Sequence, residues 1–136
     1  MTLTAVDTSV AVPLLVATHP THEEVTEWAR GRSLTLSGHA LVETYSVLTR
    51  LPGDARVSPA DAVALIDANF EEAVVVDEEG FRTIHRALAE RGIAGGAAYD
   101  ALVGIAARSR DLPLATRDAR ARGTYEAVGT RVDLLT

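Results

Sequence analysis

The chain has 136 residues, of which 47% are apolar, and a formal net charge of −6. It contains no cysteine and no lysine, which excludes disulfides, thiolate zinc sites, a cysteine nucleophile and a phosphate-binding or Schiff-base lysine. The negative charge also argues against tight, non-specific binding to nucleic acid, because such binding is driven by a basic surface.

The first elements of the chain predict a strand followed by a helix. Residues 3–6 form a short apolar run, and a polar turn then precedes the apolar segment 10–17. Thr8 or Ser9 is the expected N-cap of this helix. Asp7 and Pro13 interrupt the apolar start, so the sequence predicts neither a signal peptide nor a membrane span. We therefore expect a cytoplasmic protein that makes no use of a membrane.

The rest of the chain alternates helix and strand patterns. A capping box at 21–24, and Ser58 followed by Pro59, indicate two helix starts. Helices are predicted at 22–30, 40–51, 59–70, 78–91, 97–107 and 119–128, and strands at 33–37, 73–76, 112–116 and 130–134. This alternation predicts one α/β domain over residues 1–136, with about five parallel strands and helices on both faces of the sheet.

The helix predicted at 97–107 carries a single charge, Asp100, in an otherwise apolar segment. A helix that is apolar nearly all round is expected to be buried, and a buried carboxylate is costly unless something pairs with it. Gly104 and Ala107 lie one and two turns further along the same face. We therefore expect this face to leave room for an ion, a water or another chain.

Three further carboxylates stand out. Asp7 and Asp118 follow predicted strands, at the edge where open α/β sheets bind ligands. Glu43 lies on an otherwise apolar helix flank. Each acid also has a simpler interpretation: Asp7 as a residue that only starts a helix, and Glu43 as a weak pair with His39 or part of a solvated flank.

Together the four acids predict one acidic cleft, because gathered negative charges repel and need a cation. Oxygen ligands favour Mg²⁺, with Mn²⁺ as a substitute, and such an ion can activate water for attack on a phosphodiester. The five arginines in 108–122 are either a local patch for a polyanion or a solvated helix face.

Four short motifs, in this order and spacing, resemble the PIN-domain ribonucleases, particularly the VapC-like toxins of bacterial toxin–antitoxin pairs. They are VDTSV at 6–10, an E-x-x-x-x-L-x-R pattern at 43–50, YDAL at 99–102 and LATRD at 114–118, and the ending RGTYEAVGTRVDLL at 122–135 is also similar. The resemblance covers the whole chain. It implies a PIN-like three-layer α/β/α fold and a single PIN domain.

By this resemblance the catalytic and metal-binding acids are Asp7, Glu43, Asp100 and Asp118. Glu43 either completes the metal shell or orients the attacking water. The neighbouring hydroxyls of Ser9 and Thr116 are candidates for contact with the substrate. Arg117 either holds a substrate phosphate, is simply exposed, or forms a salt bridge with Asp118. Some members carry a further acid or Asn just after the last Asp, where this chain has Ala119 and Arg120, so one metal ion and two remain alternatives.

The function implied is Mg²⁺-dependent hydrolysis of single-stranded RNA by a toxin that a VapB-like antitoxin neutralises. A homodimer is also expected, through apolar helix surface such as 10–17. The first alternative is a catalytically inactive PIN-fold module that only binds a partner. The second is a phosphate-accepting receiver domain, which the absence of a strand-end lysine disfavours.

Overall fold

A computed structural model describes residues 2–136 of the chain. The sheet in this range has five strands: β1 (Leu3–Val6), β2 (Ser33–Ser37), β3 (Glu71–Val74), β4 (Leu114–Thr116) and β5 (Val132–Leu134). Eight α-helices connect them: α1 (Thr8–Leu15), α2 (His22–Ala29), α3 (Ala40–Thr49), α4 (Pro59–Asn69), α5 (Glu78–Arg82), α6 (Ile84–Glu90), α7 (Ala97–Ser109) and α8 (Ala119–Ala127). A short 3₁₀ turn lies at Gly53–Ala55.

All strand pairs are parallel, and the strand order is β3-β2-β1-β4-β5. The chain therefore runs outward from β1 to β3, and returns to the other side of β1 for β4 and β5. Right-handed crossovers then place α1 to α4 on one face of the sheet and α5 to α8 on the other. The contacts of α1 with α2 and α3, and of α7 with α8, agree with this arrangement. The predicted parallel α/β fold with about five strands is confirmed.

The core lies where the central strands meet the helices. Val6 and Leu114 of the two central strands are fully buried, and Leu48 of α3 and Val10 of α1 pack into the same cluster. Leu41 and Tyr45, which the sequence predicts on the core stripe with Leu48, are only half-buried, because α3 turns Ala40 and Thr44 inward instead. None of the helices in the described part of the chain is long and apolar enough to cross a membrane.

The third strand lies two residues earlier than predicted. Strand β3 is at the sheet edge and pairs only with β2, so it does not need the continuous apolar run of a strand buried on both sides. Val74 is buried, but Val75 is 56% exposed beyond the strand end. Strand β4 is shorter than predicted because Pro113 has no N–H to donate to the ladder, while its carbonyl accepts from the Ala5 N–H.

The helix predicted at 78–91 is two helices that join at Thr83. Asp77 caps the first by accepting a hydrogen bond from the Gly80 N–H. Leu88 of the second helix is buried, while Phe81 of the first is 55% exposed. The predicted capping box at 21–24 is also wrong, because the Thr21 hydroxyl is hydrogen-bonded to His19 rather than to the start of α2.

Candidate active site

A cavity of about 240 Å³ opens at the carboxyl ends of β1 and β4. The chain order reverses between these two strands, and in open α/β sheets ligands bind at such a switch point. All four acids singled out in the sequence line this cavity. Its full lining is Asp7, Thr8, Ser9, Ala40, Glu43, Asp100, Val103, Asp118, Arg120 and Tyr125.

Asp7 is the most enclosed of these acids, with 5% exposure. It is the N-cap of α1, so the predicted caps Thr8 and Ser9 are wrong: the Asp7 Oδ1 atom accepts from the Ser9 N–H at 3.0 Å. The same atom accepts from the Ser9 hydroxyl at 2.6 Å, and Oδ2 accepts from Thr116 at 2.6 Å and from Tyr125 at 2.7 Å. These four donors match the roughly four lone-pair sites of a carboxylate. Asp7 is therefore held rigidly and fully hydrogen-bonded.

The hydroxyls of Ser9 and Thr116 connect the ends of β1 and β4. Besides donating to Asp7, the Ser9 hydroxyl accepts from the Arg117 N–H at 2.8 Å, and the Thr116 hydroxyl accepts from the Asp118 N–H at 3.0 Å. Each hydroxyl has a single proton, and both protons go to Asp7. Contact of Ser9 or Thr116 with a substrate stays a prediction, and donation to a phosphate would need one of these bonds to break.

Asp118 is the N-cap of α8. Its Oδ1 atom accepts from the N–H groups of Arg120 and Ala121, at 3.0 and 3.4 Å. Its Oδ2 atom is paired with the Arg120 guanidinium at 3.0 Å. The positively charged side chain of Arg120 thus lies in the acidic cavity.

Asp100 and Glu43 have fewer partners. Burial raises the pKa of Asp100, the Arg120 charge lowers it, and the charges of Asp118, Glu43 and Asp7 raise it again. No hydrogen bond contributes to this shift. The Oε2 atom of Glu43 lies 3.6 Å from Nε2 of His39, so the weak His–Glu pair is present and still leaves Glu43 on the cavity wall.

A close approach of backbone brings Glu43 and Asp100 to the same cavity. Gly38 connects β2 to α3 with φ +53°, and a Cβ atom there would lie 2.6 Å from the carbonyl oxygen of Leu102 in α7. The Ser37 hydroxyl donates to the Val103 carbonyl of the same helix at 3.0 Å. Only glycine fits this position without strain.

The space expected beside Gly104 is filled by the chain's own side chains. A Cβ atom on Gly104 would lie 2.9 Å from Val128, 3.1 Å from the Thr130 hydroxyl and 3.3 Å from the Tyr125 ring. The small face of α7 therefore packs against α8 and leaves no room for an ion or another chain. The same packing places the Tyr125 hydroxyl within hydrogen-bonding distance of Asp7.

Two polar residues of the cavity, Arg120 and Tyr125, were not assigned to the site from the sequence. Burial and the neighbouring Asp7 raise the pKa of the Tyr125 hydroxyl far above its usual value, so it remains a donor. The spacing in the sequence could have indicated the burial of Tyr125, because it lies four residues after Ala121 and both are buried on one face of α8. Arg117, the arginine singled out in the sequence, lines a different cavity, with Glu24 and Trp28.

The donor set fits a hydrated cation better than a bare one. No three acidic or histidine side chains within residues 2–136 are grouped closely enough to hold an ion together. Asp7 and Asp118 are already hydrogen-bonded, which leaves Asp100 and Glu43 as the available carboxylates. Mg²⁺ commonly keeps several waters and binds through one or two carboxylates. An ion with six waters needs roughly 200 Å³, at about 30 Å³ a water, which the cavity of about 240 Å³ provides.

A larger cavity, of about 620 Å³, lies between α5–α6 and the C-terminal half of α7. Its walls include Val76, Ile84, Ile105 and Arg108, and none of the four acids lines it. The size of a cavity therefore does not identify the candidate site. The convergence of four carboxylates at the strand ends identifies the smaller cavity instead.

Comparison with known proteins agrees with the fold and the order of the motifs. The profile of the PIN domain family matches residues 4–127. Ribonuclease VapC27 from Mycobacterium tuberculosis H37Rv is 52% identical over 128 residues, which cover 94% of this chain and 93% of that protein. Ribonuclease VapC40 from the same species (strain CDC 1551) is 43% identical over 133 residues, which cover 97% of this chain and 98% of that protein.

Solved structures share the fold at low sequence identity. VapBC2 from Rickettsia felis, bound to a DNA fragment from its promoter, has a TM-score of 0.67 at 11% identity and covers 98% of this chain and 99% of its own. VapC20 from Mycobacterium tuberculosis, described as a toxin that cleaves the sarcin–ricin loop, has a TM-score of 0.67 at 20% identity and covers 95% of this chain and 96% of its own. By its profile match and its two VapC relatives, the chain belongs to the PIN-domain family and to its VapC group.

Proposed function

We propose that this protein is a Mg²⁺-dependent endoribonuclease that cleaves single-stranded RNA and acts as the toxin of a toxin–antitoxin pair. The observation that carries the proposal is the convergence of Asp7, Glu43, Asp100 and Asp118 on one cavity at the switch point between β1 and β4. The relatives that are 52% and 43% identical are both named ribonucleases, and this supports a ribonuclease here.

Asp100 and Glu43 would hold a hydrated Mg²⁺, or Mn²⁺ in its place, and Asp118, which accepts only three hydrogen bonds, would contact one of its waters. Asp7, which already accepts four, would act on the ion through its charge alone. Such an ion supplies a water of lowered pKa and positive charge next to the phosphate that is attacked. The fixed hydrogen bonds of Asp7 and Asp118 keep their charges in place before RNA binds, which is the preorganisation that electrostatic catalysis requires.

The chain's own side chains provide the remaining steps. An oxygen of the Glu43 or Asp100 carboxylate accepts the proton that the attacking water loses, because neither is saturated by hydrogen bonds. As the new P–O bond forms, the bond from phosphorus to the leaving ribose oxygen breaks, and that oxygen takes a proton from solvent. The Arg120 guanidinium offsets part of the negative charge of the cavity. It also offers further N–H donors to a phosphate that approaches Asp118.

The partners follow from the relatives and the surface. VapBC-5 from Mycobacterium tuberculosis, a neighbour of the same fold, is described as a member of the VapBC family of toxin–antitoxin systems, so we propose a VapB-like antitoxin for this chain. An apolar groove between α3 and α4, where Val42 is 64% and Val63 51% exposed, is surface that this antitoxin would cover.

Self-association through 10–17 is also proposed, but with less surface than the sequence suggests. Val10, Ala11 and Pro13 are buried in the protomer's own core, so only the half-buried and exposed residues of this segment are available. A single PIN domain and a cytoplasmic location complete the proposal.

The decisive experiment is cleavage of a pool of single-stranded oligoribonucleotides by the purified protein, with Mg²⁺ or with excess EDTA. We expect cleavage only with Mg²⁺. Asp100→Asn should lower the rate by at least about 100-fold, the scale of losing one preorganised electrostatic contact. Asp54→Asn, which removes the charge of an exposed acid in the 3₁₀ turn, is the control and should cut like the wild type.

If folded wild-type protein shows no metal-dependent cleavage, the inactive interaction module is the better description. Equal activity of Asp100→Asn and the wild type would instead remove Asp100 from the catalytic set. For the antitoxin, expression of the chain alone should arrest growth, and expression with the small protein encoded beside it should restore growth and give a complex on purification.

A further inference from the structure

One aromatic side chain beside the acidic cavity has no role in the core. Tyr99, in the first turn of α7, is 57% exposed. It directly precedes Asp100, whose carboxylate lines the cavity. By contrast, Tyr125 and Phe70 are buried. An exposed aromatic ring next to a candidate active site is surface that a ligand can use.

The Tyr99 ring is fixed by a second ring. The centroids of Tyr99 and His39 lie 5.1 Å apart, with 37° between the ring planes. His39 is in turn paired with Glu43, the cavity acid of α3. The ring contact thus joins α7, which carries Asp100, to the residue that precedes α3, which carries Glu43. The two rings form a preformed aromatic surface next to these two acids.

The negative charge of the molecule favours an uncharged contact with an RNA ligand. The net charge is −6, and four carboxylates line the cavity, so phosphates receive little help from the surrounding surface. Stacking of a base on an aromatic ring does not depend on that charge. It also requires an unpaired base, because the faces of paired bases are covered by their neighbours in the duplex.

We propose that Tyr99, supported by His39, is a nucleobase-stacking subsite that holds one unpaired base of the RNA next to the cleaved phosphate. This inference rests on the proposed function and names the feature of the substrate that the site selects. Tyr99 contributes to binding and selectivity, and the chemistry stays with the four acids.

The test is equilibrium binding of a short single-stranded oligoribonucleotide that carries the fluorescent base 2-aminopurine, at low ionic strength in EDTA so that no cleavage occurs. Stacking on a ring quenches this fluorescence. We expect quenching by the wild type, and binding weakened roughly tenfold in Tyr99→Ala, the scale of losing one base–aromatic stack. Tyr99→Phe should bind within about twofold of the wild type, because it keeps the ring.

Two controls separate stacking from a structural effect. Tyr99→Leu keeps an apolar side chain without an aromatic face, so it should bind as weakly as Tyr99→Ala while keeping the wild-type melting temperature. Phe81→Ala removes a ring of similar exposure, 55%, from α5, and should leave binding unchanged. A fully paired duplex of the same sequence should show no dependence on Tyr99.

With cleavable RNA and Mg²⁺, Tyr99→Ala should raise KM and leave kcat close to the wild-type value. Wild-type-like binding by Tyr99→Leu, or no quenching by the wild type, would overturn the subsite. The latter result would point to a protein partner on this ring pair. If the protein quenches the fluorescence through Tyr99 but cleaves no RNA, the stacking subsite is supported and the ribonuclease proposal is contradicted. If it cleaves RNA and the Tyr99 variants cleave with an unchanged KM, the ribonuclease proposal is supported and the subsite is contradicted.

Discussion

The hydroxyl of Tyr125 donates a hydrogen bond to the Oδ2 atom of Asp7 at 2.7 Å, across 118 residues of sequence. It joins the C-terminal helix α8 to the end of the central strand β1. Tyr125 is 2% exposed and Asp7 is 5% exposed, so this hydrogen bond is buried. The last helix of the fold therefore closes one side of the candidate active site.

Tyr125→Phe should lower the free energy of unfolding by about 1.5–3 kcal/mol, because a buried carboxylate loses one of its donors. Urea unfolding at pH 7 measures this change. Tyr45→Phe, which alters a half-buried ring in the groove between α3 and α4, is the control and should change stability by less than about 0.5 kcal/mol. Equal stability of both variants would show that the Tyr125 bond contributes nothing.

The same bond predicts a loss of stability in alkali. The pKa of Tyr125 is raised from its usual 10.0, so above that pH the unfolded chain loses the phenolic proton while the folded protein keeps it. The unfolded state then binds fewer protons, and stability falls as the pH rises. Tyr125→Phe should flatten the decline of melting temperature between pH 9 and 11. If the melting temperature of the variant falls with pH as steeply as that of the wild type, the pKa of Tyr125 is not raised in the folded protein.

Asp100→Asn should make the metal-free protein more stable at pH 7. Burial raises the pKa of Asp100 from 3.8, so the folded protein binds this proton more tightly than the unfolded chain and loses stability as the pH rises through the raised value. The difference in stability between Asp100→Asn and the wild type should therefore become smaller as the pH is lowered toward 4. Melting curves in EDTA across this range test the effect, and a gain that grows in acid would refute it.

Arg120→Ala should strengthen Mg²⁺ binding roughly fivefold, which corresponds to about 1 kcal/mol for removing one cation from the cavity. The guanidinium is paired with Asp118 and lowers the pKa of Asp100, so it competes with an added ion. Arg122→Ala is the matched control, because Arg122 pairs with Glu126 on the same helix and does not line the cavity. Calorimetric titration with Mg²⁺ compares the two, and identical affinities would exclude competition.

Gly104→Ala should destabilise the protein by up to about 2 kcal/mol. The added methyl group would lie 2.9 Å from Val128, and overpacking of this kind costs about 1–3 kcal/mol against a gain of nearly 1 in helix propensity. Gly123→Ala in α8 meets nothing within 4 Å and should gain about 1 kcal/mol. Chemical unfolding of both variants measures the contrast, and a Gly104→Ala protein as stable as Gly123→Ala would contradict the packing of α7 on α8.

Much of the fold could be predicted because local patterns set local structure. Ser58 and Pro59 begin α4 as predicted, with the Ser58 hydroxyl accepting from the Asp61 N–H. The positions of Asp7 and Asp118 after strands follow from the same patterns, since parallel strands present their carboxyl ends at one edge. Two of the wrong predictions, the bounds of β3 and the single helix at 78–91, concern an edge strand and a pair of short helices, where few buried contacts constrain the sequence.

The sequence by itself determined the alternation of strands and helices and the placement of acids at strand ends, because hydrophobic periodicity and turn residues act over a few neighbours. Only the tertiary structure decided that β4 returns to lie against β1, which joins Asp7 to Thr116 across 109 residues. It also decided that Arg120 and Tyr125 share the cavity, and that the space beside Gly104 is filled by α8. These outcomes depend on which surfaces bury each other, and no local pattern encodes the partner of a buried face.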